Sequence, residues 1–371
     1  MIALYKSLAI IEKMTQKIKS GEFMDNARER HEDFTRNRKV NFVAIISMLL
    51  NLNKRSIQIE IDEFVDKNLS DNVDTYTKQS FSEARQKVKP QAFVALNDVF
   101  LEEYYSDFGR TAYRILAIDG SKLQIPNSKR TREYFGYATN GQEGFHAAQS
   151  LISVLYDVEN RIMINAQIMR YDDSERQLAK ANILQMLEVE SSIKNTILFD
   201  RGYACYELIK FLEETGQKYL MRVRNDFFAE VNNTQLTDET VKIEITPSRK
   251  KYMKRQGYNA QTGDSIDVRV IKFALITGEQ ETLITNLTPD EADTQYCENL
   301  YFKRWGIETA YDELKNKFEI ENFSGDSIRA IKQDFYATIL LANLATVLAE
   351  DAAYEYDLRK TSKKTPLQGE P

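Results

Sequence analysis

Cysteine, histidine, tryptophan and proline are all scarce in this chain. Its 371 residues include two cysteines, two histidines, one tryptophan and six prolines. Cys205 and Cys297 lie far apart and in no metal-ligand spacing, which excludes a disulfide framework and makes a reduced, cytosolic protein the expectation. His31 and His146 form no pair, so a histidine-built zinc centre is excluded. Any metal would be a hard ion bound through oxygen, Mg2+ or Mn2+. Long apolar runs are missing as well. The most apolar stretch, Ala337 to Ala349, is too short for a membrane span and contains Asn343, so it reads as a buried helix and no membrane partner is expected. The first residues, broken by lysine and glutamate every few positions, do not make a signal peptide. Positive charge is not in excess either: 50 Lys and Arg stand against 56 Asp and Glu, a formal net charge of −6. That balance argues mildly against a nucleic-acid partner, although binding depends on where the positive charge lies.

What is present is a globular composition, 42% hydrophobic and 29% charged, long enough for two or three domains. Residues 1–110 read as a helical N-terminal region. Within it, Lys78 to Lys87 suggests a short helix with Arg85 and Lys87 on its open side, as a helix entering a DNA major groove would offer, and as any solvated helix would. The basic group Arg36, Arg38 and Lys39 is either a phosphate contact or ordinary surface. From Tyr113 the period changes. Arg114 to Asp119, Leu151 to Asp157, Ile162 to Met169, Thr196 to Asp200 and Lys218 to Arg224 read as strands, with a hairpin turn at Val158 to Arg161 and helices from Ser174 and from Cys205. Strands and helices in this order make residues 111–224 the first part of a mixed α/β sheet. Residues 225–288 alternate short strands with turn signals and read as an all-β insert. They carry Arg249, Lys250 and Lys251 beside Tyr252, a basic run that could follow phosphates while the aromatic stacks a base, or simply a charged hairpin tip. Residues 289–355 complete the core, and 356–371 form a polar tail.

The stretch from Tyr301 to Lys315 has good helix formers and no proline, and predicts one helix. At about 100° of turn per residue, Tyr301, Arg304, Glu308 and Lys315 share one narrow stripe, while Ile307, Leu314 and Phe318 face a core. Alone, Arg304 and Glu308 would be an ordinary i,i+4 pair. Asp119 and Asp200 give the stripe its context. Each ends an apolar strand and is followed, directly or after one residue, by glycine, which lets a ligand approach the backbone. Asp157 holds a similar position but leads into a turn. Brought to one sheet edge, Asp119, Asp200 and Glu308 would repel one another unless a cation held them. Two divalent ions about 3.5–4 Å apart would satisfy them and clamp both oxygens of an in-line phosphoryl displacement.

These residues resemble a DDE transposase of bacterial insertion sequences, the IS-four type with the Y-R-E-K signature. The likeness is carried by Leu116 to Lys122, by Phe199 to Tyr203, and by Tyr301, Arg304, Glu308 and Lys315 at the family spacing. It covers most of the chain from about residue 78 onward. The resemblance implies a ribonuclease-H-like core holding two Mg2+ or Mn2+ ions, with Asp119 bridging both and Asp200 and Glu308 each completing one. It implies that Tyr301, Arg304 and Lys315 hold backbone phosphates near the transposon end. Terminal inverted repeats and target DNA are the implied partners, bound by a homodimer at the bacterial nucleoid, with cleavage of element ends followed by strand transfer. Some relatives hold a flipped base with a tryptophan in the β insert. Trp305 lies elsewhere, so Tyr252 or Tyr258 is the substitute. The short segment after the last helix leaves a second reading, a truncated end-binding copy that regulates without cutting. A structure-selective nuclease on the same core is a third.

Overall fold

The computed structural model describes residues 5–36, 40–51, 55–68, 76–106, 113–139, 146–189, 193–255, 258, 260–275 and 277–362. Arg38 and Lys39 of the first basic group, the boundary at 110, and residues 363–371 of the tail lie outside these. The N-terminal region folds as α1 (Lys6–Lys19), α2 (Gly21–Ala27), α3 (Phe42–Leu50), α4 (Ile57–Asn68), α5 (Lys78–Arg85) and α6 (Gln91–Ser106). The core follows as β1 (Tyr113–Gln124), α7 (Lys129–Phe135), β2 (Tyr137–Ala138), β3 (Ala147–Asp157), β4 (Ile162–Arg170), α8 (Glu175–Val189), β5 (Lys194–Phe199), α9 (Tyr206–Glu214) and β6 (Lys218–Arg222). Next come α10 (Ala229–Asn232), β7 (Asp238–Glu244), α11 (Pro247–Arg255), β8 (Ser265–Ala274) and β9 (Gln280–Thr285). The chain closes with α12 (Thr294–Phe302), a 3-10 turn (Lys303–Trp305), α13 (Gly306–Asn316) and α14 (Ile328–Ser362).

The strands form one nine-stranded sheet ordered β2-β3-β1-β5-β6-β9-β8-β7, with β4 on β3. β1, β5 and β6 are parallel, while β3 runs antiparallel to β1, and β4 to β3. The order β4-β3-β1-β5-β6 with those directions is a ribonuclease-H-like core, the mixed α/β sheet expected from the sequence. Its middle strands are apolar on both sides because both faces are covered. Leu116, Ile118 and Phe199 join Ala179 and Ile183 of α8 in one apolar cluster. Ala117 and Leu198 join Ile307 and Leu314 of α13 in the other.

α14 has the length and apolarity of a membrane span, yet it packs on α6 and β4. The odd residue in its apolar run explains this. Asn343 is fully buried, accepts from the Met163 amide at 2.8 Å, and donates to the Met163 carbonyl and to Asn97 Oδ1 at 2.9 Å each. It thereby satisfies backbone groups of β4 that lack a neighbouring strand.

Three expectations need correcting. First, the insert at residues 225–288 is not all-β: α10 and α11 interrupt its strands, and β7–β9 extend the main sheet through the β6–β9 pairing. The basic run sits on α11, with Pro247 at the first helical position, where its missing N–H costs nothing. Second, the stretch from Tyr301 to Lys315 is not one helix, because the 3-10 turn divides it. Arg304, in that turn, has its guanidinium 6.0 Å from the centre of the ring of Tyr301, near the end of α12. Third, Arg85 does not face outward. It shares the i, i+3, i+4 face of Phe81 and Ala84, and all three are buried. It donates to Asp334 at 2.5 Å, Ser324 at 2.6 Å, Gln333 at 2.7 Å and the Ala330 carbonyl at 2.9 Å. The residue is a tie between α5 and α14, not a DNA contact.

Candidate active site

The parallel pairing of β1 with β5 ends at Ile118 and Phe199. Asp119 and Asp200 are the next residues of each strand, so they stand side by side at about the 4.8 Å spacing of neighbouring strands. The two strands then part. β5 gives way to a turn in which the Tyr203 amide donates to the Asp200 carbonyl at 3.0 Å. β1 runs on to Gln124, paired on its other side with β3. Asp119 is therefore held in a strand rather than at a strand exit. Its Oδ1 accepts from the Gly120 amide at 2.8 Å, and Asp200 Oδ1 accepts from the Arg201 amide at 2.6 Å.

Glu308 reaches this edge from α13. That helix is fixed to β1 and β3 by Tyr311, whose hydroxyl donates to the Asp119 carbonyl at 2.7 Å and accepts from the Val154 amide at 3.1 Å. Arg304, 7% exposed, stands between the acids: Nη2 donates to Glu308 Oε1 at 2.8 Å, and Nη1 lies 3.8 Å from Asp119 Oδ2. Lys315 donates to Ser121 Oγ at 2.9 Å, two residues beyond Asp119 along β1. Tyr301 is buried above the same edge, and its hydroxyl has no hydrogen-bond partner among the described residues. All four residues of the Y-R-E-K stripe thus line the edge that carries the two aspartates.

Burial pushes the Asp119 carboxyl up to about 6. The Gly120 amide and Arg304 oppose that rise, while the charges of Asp200 and Glu175 add to it. Burial likewise raises the Tyr301 hydroxyl to about 12, keeping it protonated. Among the described residues no three acidic, histidine or cysteine side chains are gathered closely enough to hold an ion. Glu308 is turned to Arg304, its side chain 58% exposed, which keeps it from the two aspartates. The donor set still fits a hard divalent cation, because it is all oxygen and a guanidinium already occupies the space between two of its acids.

The other sequence-derived contacts are dispersed. Arg249 is clamped by Glu230 through two bonds of 2.7 Å, and Lys250 donates to Gln261 at 3.1 Å. Lys251 and Tyr252 are exposed on α11. Lys87 lies over the Phe34 ring. Between α11 and the turn after Asp200 is a cavity of about 630 Å3 whose wall includes Arg176, Arg201, Arg224, Arg249, Tyr252 and Tyr258. The sequence reading missed Arg176, Arg201 and Arg224, since they belong to three separate segments. It also missed Glu175, and it gave no role to Tyr203 or Tyr311, although both lay inside stretches that carry the family likeness. Tyr311 lay inside the signature stretch, and its spacing from Ile307 and Leu314 gave the only signal that it faces the sheet.

A comparison with solved structures aligned the chain with a piggyBac transposase synaptic complex with hairpin DNA, at a TM-score of 0.49 and 12% identity over 99% of this chain and 78% of that one. It also aligned with a Mos1 mariner paired-end complex with Mn, at a TM-score of 0.21 and 13% identity over 92% and 87%. A sequence search of curated proteins found no match. The family described as the transposase DDE domain matches residues 110–344, a segment that runs from β1 through α13 into α14 and holds every acid described above, and the chain belongs to that family.

Proposed function

We propose that this transposase is of the IS-four insertion-sequence type and that it cuts the ends of its element and joins them to target DNA with two Mg2+ or Mn2+ ions. The observation that carries the reading is the placement of Asp119 and Asp200 on adjacent parallel strands, one residue past their last pairing, with Glu308 a single arginine away. When bound, the ions would activate the attacking oxygen and stabilise the leaving one. Asp119, Asp200 and Glu308 would hold them. Tyr301, Arg304 and Lys315 would grip the DNA backbone beside them, the arginine by a forked contact and the lysine as a point charge.

In this reading Arg304 has two occupations. In the DNA-free protein it neutralises Glu308 and faces Asp119. A phosphate offers it a second anionic partner, and taking that partner frees both acids for the cation. Single substitutions Asp119→Ala, Asp200→Ala and Glu308→Ala should each abolish cutting of an element-end duplex in Mg2+ or Mn2+ while leaving its retention in a gel-shift assay. A variant that cuts as well as the unaltered protein removes that residue from the site.

A further inference from the structure

On the reading that Asp119 and Asp200 hold a divalent cation, one acidic side chain at the same edge is still without a role. Glu175 opens α8, directly after Ser174. Its side chain lies against Gly120 so closely that a Cβ at that position would come within 2.9 Å of both Cγ and Cδ and 3.1 Å of Oε1. Only glycine beside Asp119 leaves this carboxylate where it is. α8 and α13 cover opposite faces of the sheet. Because β5 stops at Phe199, the flank of β1 beyond Ile118 is a notch, and Glu175 reaches it from one face as Glu308 approaches from the other.

A hydroxyl marks the same notch independently. Tyr203 is 1% exposed, and its Oη has no hydrogen-bond partner among the described residues. Burial holds its pKa well above the ordinary value, and the nearby Asp119, Tyr311, Glu175 and Asp200 add to the rise. A buried hydroxyl left unsatisfied is costly, so one kept close to these acids is a donor free for a carboxylate drawn into reach. Glu308, by contrast, is engaged by Arg304 and largely in solvent.

We propose that Glu175 is a cation ligand of the DNA-free protein: with Asp119 and Asp200 it holds the first divalent ion, positioned by the Tyr203 hydroxyl, before Glu308 leaves Arg304. Without an ion the three carboxylates are not gathered closely enough to form a site; they repel one another until a cation draws them together, and an all-oxygen set suits Mg2+ or Mn2+.

The test is a Mn2+ titration of the full-length protein without DNA, with free ion followed by electron paramagnetic resonance. The unaltered protein should bind. Asp119→Asn should lose binding, Glu175→Gln should weaken it by about tenfold or more, in the range of metal-site partner substitutions, and Glu308→Gln should bind as before. Melting in EDTA separates this from a folding defect: Glu175→Gln should melt at or above the unaltered protein, since a like charge is gone, and only its Mn2+-induced rise should shrink. Gly120→Ala should reproduce the lost affinity by displacement, with all charges retained. Unchanged Mn2+ affinity in Glu175→Gln beside lost affinity in Asp119→Asn overturns the role of Glu175 and leaves the Asp119 site standing. Equal losses in Glu308→Gln and Glu175→Gln overturn the order of assembly. No binding by the unaltered protein overturns the DNA-free site altogether, whereas the proposed function falls only if the alanine variants still cut DNA.

Discussion

Arg304 holds Glu308 at 2.8 Å, inside the hydrogen-bond range, while its other terminal nitrogen stands 3.8 Å from Asp119. The guanidinium is a built-in cation for a site made of acids. Removing it should act in opposite directions on ion and DNA. Arg304→Ala should bind Mn2+ several-fold more tightly without DNA, because a competing positive charge is gone, yet cut an element end about 100-fold more slowly, the scale on which losing one charge-stabilising donor is felt. Arg304→Lys should not restore cutting, since a point charge cannot make the forked contact. Mn2+ titration and a nicking assay on the same preparations check both halves.

The Asp119 carboxyl, held near 6 by burial, sets a pH dependence. A carboxyl raised in the folded state from its ordinary 3.8 adds stability below that value and loses it as pH climbs through 6. In EDTA at pH 7.5 or so, Asp119→Asn should therefore melt a few degrees above the unaltered protein, reflecting on the order of 2 kcal/mol. The difference should vanish toward pH 4 or so. Thermal melts across that range supply the check, and a variant that is less stable at neutral pH would contradict the direction of the shift.

Arg85 and Asp334 form a buried pair, with side chains 5% and 3% exposed. Arg85→Ala leaves an unpaired acid in the core and should destabilise the fold by about 3–5 kcal/mol. Arg85→Met combined with Asp334→Leu should recover most of that loss and still retain element-end DNA. Denaturant unfolding together with gel shifts decides between this structural role and direct DNA contact.

On α11, neighbouring residues should behave differently. Lys251 is exposed, so if it meets a phosphate, Lys251→Ala should lower the slope of log affinity against log salt by about 0.9. Arg249 is already held by Glu230, which it keeps below the usual carboxylate range. Arg249→Ala should therefore loosen the helix, seen as faster proteolysis near residue 250 or so, and change the salt slope little.

The sheet and its acids were legible in the sequence because their signals are local. An apolar run broken by Asp-Gly, a second ending in Asp-Arg-Gly, and a four-residue spacing each lie within a few residues. What was hidden depends on distant partners. Arg85 lies on the same helical face as Phe81 and Ala84, a signal that was present, but the acid that makes burial tolerable is 249 positions away. Glu175 reads as an ordinary first-turn acid until the fold lays it on Gly120. Tyr203 reads as an aromatic after a turn until its hydroxyl is found without a partner. The 3-10 turn left only Gly306, a poor helix former, as its mark in a stretch that otherwise reads as helix.

The double contact of Tyr311, to the Asp119 carbonyl and the Val154 amide, bolts the backbone of α13 to the rail on which the first acid rides. The helix cannot slide along the sheet without breaking both. Glu308 can thus arrive only by swinging about its own χ bonds, a rotamer change of picoseconds to nanoseconds for an exposed side chain. On the proposed function, bringing Glu308 to the two aspartates then demands no domain closure, and its timing belongs to whatever coaxes Arg304 away.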